Sequence, residues 1–359
     1  MTQTPAKTTA AMEATEDSPP GPGPRPADDL GLELVPGKPP ILRITEAVAP
    51  AHLSEWFGER KSRLEAALLE HGAVLIRGLG VGDAASLGTI AGQLSTTGMQ
   101  EREAFARRRT LAGPVVSSLE WPSDQPMCMH HELSYGLTFP RLLTIGCFTA
   151  PSSGGATGLA DAEAVLDALP ESVVRRFTEH GWSLLRSYND LVGMTWQEAF
   201  GVTDRAAAEA HCRVNGTTYA WQPDGGLRTE QRRSAVLRHP LTGRRVWFNQ
   251  IAFLNEWTMD PAVREYLVMQ FGGLGLPFNT RYGDGSPLDA ETIETINAVY
   301  EAATLREPWQ PGDVLLVDNI RMAHSREPYE GQRDVGMVLG APTSLADCSP
   351  THPSFTAAS

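Results

Sequence analysis

The chain has 359 residues, 41% of them hydrophobic and 7% aromatic, enough for one large domain or two ordinary ones with a sizeable core. Its formal net charge of −13 argues against non-specific attraction to nucleic acid or to an anionic membrane surface. No run approaches the roughly 18 apolar residues of a membrane span, and Cys128, Cys147, Cys212 and Cys348 show no paired spacing, so they read as reduced thiols of a cytoplasmic protein.

Residues 1–40 are rich in Pro, Thr, Ala, Gly and acids, as in Pro19-Pro20-Gly21-Pro22-Gly23-Pro24. Such a stretch buries too little apolar surface to offset its ordering entropy, and a disordered tail is expected. It has no apolar signal core, so export is not expected. Ile41-Leu42-Arg43-Ile44 reads as the first strand. Residues 55–70 read as a helix, with Leu64, Ala67 and Leu68 on one face and Gly72 as its stop. Residues 73–77 form a short apolar strand before Gly78, and 84–95 read as a second helix. Strands follow at 142–148, 181–185, 245–248, 313–317 and 335–339, with helical inserts at 161–180, 194–212, 260–271 and 290–303. Short strands divided by Gly/Pro turns, with helices packed outside, predict a mainly β fold with flanking helices: a sandwich or jelly roll. No repeat or composition break divides 41–345. A single domain is expected there, followed by a flexible tail at 346–359.

The chemistry concentrates in two places. His130-His131-Glu132 offers an imidazole and a carboxylate two residues apart, which an extended strand presents on one side. His131 then faces the other way. His324 follows an apolar run, Val314 to Val317, that starts at the turn Pro311-Gly312-Asp313 and ends at Asp318-Asn319. Two imidazoles and one acid on one face of a metal suit Fe(II) and leave positions open. A zinc hydrolase can use the same three ligands, and buried histidines are often only structural. Arg333 lies beyond the turn-like stretch 327–331 and opens the strand at 335–339, where a hairpin would return it beside His324. Its planar fork is suited to a carboxylate. Thr157, in Gly154-Gly155-Ala156-Thr157, offers a small hydroxyl to the same anion. Asp318 and Asn319 either cap the strand end or orient the loop before His324.

Taken together, these motifs resemble the TauD/TfdA superfamily of Fe(II)/2-oxoglutarate dioxygenases over roughly residues 70–340. The resemblance is carried by 72–78, 129–135, 154–161, 239–243, 246–250, 282–286 and the run from Asp318 through His324 to Arg333. The Glu of His-x-Glu, Trp247-Phe248-Asn249-Gln250 and Tyr282-Gly283-Asp284-Gly285-Ser286 are most similar to the SyrP-type branch, which is associated with hydroxylation of amino-acid units in peptide natural products. The resemblance implies a double-stranded β-helix (jelly-roll) core. It implies His130, Glu132 and His324 as iron ligands, Thr157 and Arg333 on 2-oxoglutarate, and Fe(II), 2-oxoglutarate and O2 as cofactors. The implied reaction is hydroxylation of an unactivated C–H bond of an amino acid or amino-acid-derived substrate. Desaturation, cyclisation and epoxidation share that oxidant. A carboxylate at 132 argues against halogenation, which needs that position vacated. Two positions depart from the pattern: His324-Ser325-Arg326 replaces the common His-Gly-Arg, and Met337 stands where many members carry a further Arg four residues after the anchoring one.

Substrate signals are sparse. The 100–127 segment, with Arg107, Arg108, Arg109 and Trp121, and the 186–235 segment, with Arg186, Tyr188, Trp196, Trp221, Arg228 and Thr229, are candidate lids, but packing of the aromatics and a solvated face for the arginines is the favoured reading over substrate contact. A carrier protein is usually acidic and would meet repulsion from this chain except at the basic cluster Arg102, Arg107, Arg108 and Arg109. A small-molecule substrate is the favoured expectation. A jelly-roll ligand-binding protein without catalysis is the alternative of another class.

Overall fold

A computed structural model describes residues 30–95 and 97–351 of the chain. Its largest sheet has seven strands in the spatial order Ile41–Arg43, Ala73–Arg77, Val314–Asp318, Thr138–Thr149, Asp334–Ser344, Val115–Ser117 and Thr110–Ala112. Only the Ile41–Arg43 and Ala73–Arg77 pair is parallel. A three-stranded antiparallel sheet, in the order Met127–His130, Met322–Arg326, Leu159–Asp161, forms the other layer.

Side-chain alternation shows how the layers share their cores. Ala73, Leu75, Leu143, Ile145, Leu315, Val317, Val335, Met337 and Leu339 of the large sheet pack in one cluster with Met127, Met129, Leu159, Met322 and Ala323 of the small one. The residues between them, Val74, Ile76, Leu142, Val314, Leu316 and Val338, face the opposite way. They pack on Leu64, Ala67 and Leu68 of helix Leu53–His71 and on Leu87 and Ile90 of helix Ala84–Leu94. Two sheets thus enclose one core while helices cover the outer face, a double-stranded β-helix with flanking helices. Gly72 ends the first helix at φ 79°, in the left-handed region a C-terminal stop requires.

Several sequence readings change in detail. The helical insert expected at 161–180 is two helices, Ala162–Ala168 and Glu171–His180, because Pro170 interrupts the ladder. The insert expected at 194–212 is likewise two, Trp196–Phe200 and Arg205–Val214. The strand at 142–148 is the centre of a twelve-residue one. Residues 182–233 form most of an additional antiparallel sheet, ordered Thr217–Trp221, Leu227–Arg233, Trp182–Tyr188 and Phe278–Tyr282. Leu227–Arg233 buries Thr229, Gln231 and Arg233 rather than an apolar series, so hydrophobic alternation gave no sign of it.

Ordered contacts also run past both expected limits of the domain. Glu33 and Ile41 exchange backbone bonds of 2.8 and 3.1 Å, and Lys38 pairs with Glu307 at 2.9 Å. At the other end Leu345–Cys348 is a 3-10 turn with both terminal residues buried. The remainder of the two expected tails, 1–29 and 352–359, lies outside the described residues. Among the described residues no helix is long and apolar enough to cross a membrane.

Candidate metal centre

The site lies between the two sheets. Antiparallel pairing of Met127–His130 with Met322–Arg326 sets His130 directly opposite His324, with ring centroids 4.3 Å apart. The early strand ends at His130, so Glu132 is not on its face as strand periodicity predicts; it sits on the turn that follows. Asn319 fixes that turn. Its side-chain oxygen accepts from the Glu132 N–H at 2.7 Å, and its amide donates to the Glu132 carbonyl at 3.0 Å and the Pro140 carbonyl at 2.8 Å. Asp318 caps the same loop, accepting from the Ile320 and Arg321 N–H groups at 3.1 and 3.3 Å, while its other oxygen lies 3.0 Å from His239 Nε2. His131 faces away: its Nδ1 lies 2.6 Å from the Asn319 carbonyl.

The result is a buried trio. His130, Glu132 and His324 are 3%, 2% and 5% exposed, and each offers a ligand atom within 4.8 Å of the others. His130 Nδ1 lies 2.8 Å from the Cys128 carbonyl, which leaves Nε2 as its acceptor. Phe253 stacks on this ring at 4.6 Å. Burial, reinforced by His324, lowers the His130 pKa to about 3, so the imidazole stays neutral. Burial would raise the Glu132 carboxyl, but Arg108 and His324 outweigh it and hold the group ionised. A neutral imidazole and an ionised carboxylate are the protonation states a divalent cation requires, and the donor set fits ferrous iron.

Two consequences can be measured. Asn319→Ala would leave two buried groups of the Glu132 peptide and the Pro140 carbonyl without partners. It is expected to cost about 2–4 kcal/mol of stability and roughly 10- to 100-fold in metal affinity, read by thermal unfolding and iron titration. Burial also lowers His131, to about 4. Between these values and the ordinary 6.5, protons bind only the unfolded chain. The metal-free protein is therefore expected to lose stability as pH falls below about 6.5, with full stability above it; denaturant midpoints at pH 8 and pH 5.5 test the sign.

A cavity of about 50 Å³ adjoins the trio and is also lined by Thr157 and Arg333. Arg333 does not return on a hairpin with the His324 strand. The chain crosses instead to the large sheet, where Asp334–Ser344 pairs with Thr138–Thr149. Tyr329 and Glu330 bridge to Gly154 and Ser153 on the way, which brings Arg333 Nε within 3.2 Å of the Gly155 carbonyl. The close approach depends on Gly154, at φ 65°, where a Cβ would meet the Pro328 carbonyl at 2.2 Å. Thr157 accepts from Trp309 Nε1 at 3.2 Å. Burial, helped by Arg326, lowers the Arg333 pKa to about 10, so the guanidinium remains charged.

Of the lid candidates, Arg186, Tyr188, Trp196, Trp221, Arg228 and Thr229 do not line this cavity. Arg186 instead donates to the Ala104 carbonyl at 2.9 Å, tying the 101–106 segment to the additional sheet. Of the basic cluster, Arg107 pairs with Glu198 and Arg108 is turned inward. Arg108 Nη2 donates to Glu132 Oε1 at 2.9 Å, and its Nε lies 2.9 Å from Glu101. Sequence reasoning placed Arg108 on the surface and passed over Glu101 and Phe253; no spacing links these residues to the ligand triplet.

The profile of the "Taurine catabolism dioxygenase TauD, TfdA family" matches residues 40–340. The "Dapdiamide synthesis protein DdaC" of Enterobacter agglomerans is 32% identical over 306 residues, covering 85% of this chain and 92% of that protein. A clavaminate synthase-like protein of Arabidopsis thaliana is 28% identical over 290 residues, 77% of this chain and 83% of its own. The crystal structure of PvcB from Pseudomonas aeruginosa shares the fold with a TM-score of 0.50 at 13% identity, over 88% of this chain and 89% of that one. With the family profile spanning most of the sequence and a buried His-Glu-His trio between the sheets, the chain belongs to the TauD/TfdA family and is an Fe(II)/2-oxoglutarate-dependent dioxygenase.

Proposed function

We propose that His130, Glu132 and His324 hold the iron, that Thr157 and Arg333 hold 2-oxoglutarate, and that the enzyme hydroxylates a C–H bond of an amino acid or amino-acid-derived small molecule. The observation that carries this is the convergence of the trio with Thr157 and the half-buried guanidinium of Arg333 on a single cavity between the sheets. Bound Fe(II) and 2-oxoglutarate supply the oxidising chemistry, with O2, succinate and CO2 as the co-reactant and co-products. The protein's part is positioning and exclusion of water. Asn319 holds the Glu132 peptide, Arg108 takes one carboxylate oxygen so that the other is free, and Phe253 covers the His130 ring. Arg333 offers a fixed cation to the distal carboxylate of 2-oxoglutarate.

The relative named for dapdiamide synthesis supports a role in natural-product biosynthesis. Pairing of Arg107 and inward rotation of Arg108 leave only part of the expected basic cluster for an acidic carrier protein, which favours a free substrate. We further propose that 41–345, together with the flanking contacts made by Glu33, Lys38 and Cys348, forms one catalytic domain, acting in the cytoplasm. Anaerobic addition of Fe(II) and 2-oxoglutarate should give a weak visible charge-transfer band, and aerobic screening should then find amino-acid substrates by succinate release. A protein that binds metal but ignores 2-oxoglutarate would instead be a hydrolase, and one without the band whose His324→Ala variant binds metal like the parent would be a binding module.

A further inference from the structure

Beside the small metal cavity lies a larger one of about 930 Å³, lined by Glu101, Arg107, Arg109, Glu120 and Glu198 among others. Among the described residues, Arg108 alone lines both. Its side chain is 6% exposed and that of Glu101 10%. The two therefore form the neck between an outer vestibule and the iron site.

The hydrogen-bonding capacity of this neck is only partly used. Arg108 commits Nη2 to Glu132, its Nε lies 2.9 Å from Glu101 yet makes no hydrogen bond, and Nη1 faces only the Met337 sulfur at 3.5 Å, a weak acceptor. Glu101 Oε1 is buried and has no partner. A buried carboxylate oxygen left without a donor is costly, so its presence calls for an explanation. Met337 occupies a position where many members of the family carry an arginine; here the Arg108 guanidinium reaches the same side chain from another segment of the chain.

We propose that Glu101 and Arg108 form a clamp for the α-ammonium and α-carboxylate of a free amino acid. Nη1 of Arg108 donates to the carboxylate and Oε1 of Glu101 accepts from the ammonium. The headgroup sits at the neck, where the larger cavity gives access to it, and the side chain of the substrate is directed toward the iron ligands. Burial raises the Glu101 carboxyl to about 7, and an ammonium beside it favours the ionised form; a guanidinium next to that carboxylate matches a zwitterion and disfavours either a simple carboxylic acid or an amine. A carrier-bound aminoacyl thioester has no carboxylate for Arg108, so the clamp selects free over tethered substrates. This rests on the oxygenase reading above and narrows its substrate class.

The full-length enzyme, loaded anaerobically with Fe(II) and 2-oxoglutarate, provides the test. The proteinogenic L-amino acids are titrated one by one by calorimetry, followed by the α-carboxamide and N-acetyl forms of the tightest binder. Each derivative loses one charge, and each is expected to bind about 10- to 100-fold more weakly, the range for loss of a charge-assisted hydrogen bond. Glu101→Gln should weaken the free amino acid by a similar factor while still giving the visible band with Fe(II) and 2-oxoglutarate. The proposal is overturned if the band forms but no free amino acid binds, or if the derivatives bind as tightly as their parent. The analogue comparison stands even if Glu101→Gln does not fold. Failure of the band in the parent enzyme would instead overturn the oxygenase reading itself.

Discussion

Replacing His324 by alanine should leave a protein that no longer retains iron. The remaining imidazole and carboxylate, His130 and Glu132, offer only two ligand atoms, too few to compete with water for a labile ferrous ion. The loss in iron affinity is expected to exceed the roughly 10- to 100-fold typical of removing an outer partner of a metal site. The 2-oxoglutarate-dependent visible band and succinate release should disappear with it. The variant should still fold: His324 packs on His130 and lies 3.6 Å from Glu132, so truncation opens a cavity costing about 2–4 kcal/mol on the scale of large-to-small core changes. Circular dichroism separates folding from metal loss. A folded variant that keeps iron and the band at parental levels would remove the basis for assigning this trio to the metal.

Arg333 should control the demand for 2-oxoglutarate rather than the metal. It is half-buried beside the cavity and touches none of the three proposed ligands in the hydrogen bonds it makes. Arg333→Leu removes a charge-assisted pair worth about 1.5–3 kcal/mol, so the KM for 2-oxoglutarate should rise roughly 10- to 100-fold. Arg333→Lys keeps the charge but loses the planar fork, and should fall between parent and Leu variant. Iron titration without 2-oxoglutarate should change little in either. Steady-state succinate release across 2-oxoglutarate concentrations measures the effect, and an unchanged KM in Arg333→Leu would exclude Arg333 as the anchor. The burial that makes the guanidinium effective also lowers its pKa to about 10, still high enough to remain charged at neutral pH.

Local composition and spacing were enough to find the elements of the large sheet and the ligand types. Apolar runs at 73–77 and 313–317 are buried on both faces, so they stand out without reference to their partners. His-x-Glu, the late histidine and the arginine beyond it are chemical signals that no fold is needed to notice. What the sequence left open depends on residues far apart in the chain. Glu132 reaches the site from a turn because Asn319 grips both sides of its peptide. Arg333 arrives by crossing between sheets rather than by a hairpin. Arg108 looks solvated within Arg107-Arg108-Arg109, yet two carboxylates draw it inward. Hydrophobic periodicity records whether a side chain is buried, which is a local property; which charges neutralise one another in the interior is set by distance in space, and only the packed sheets fix that distance.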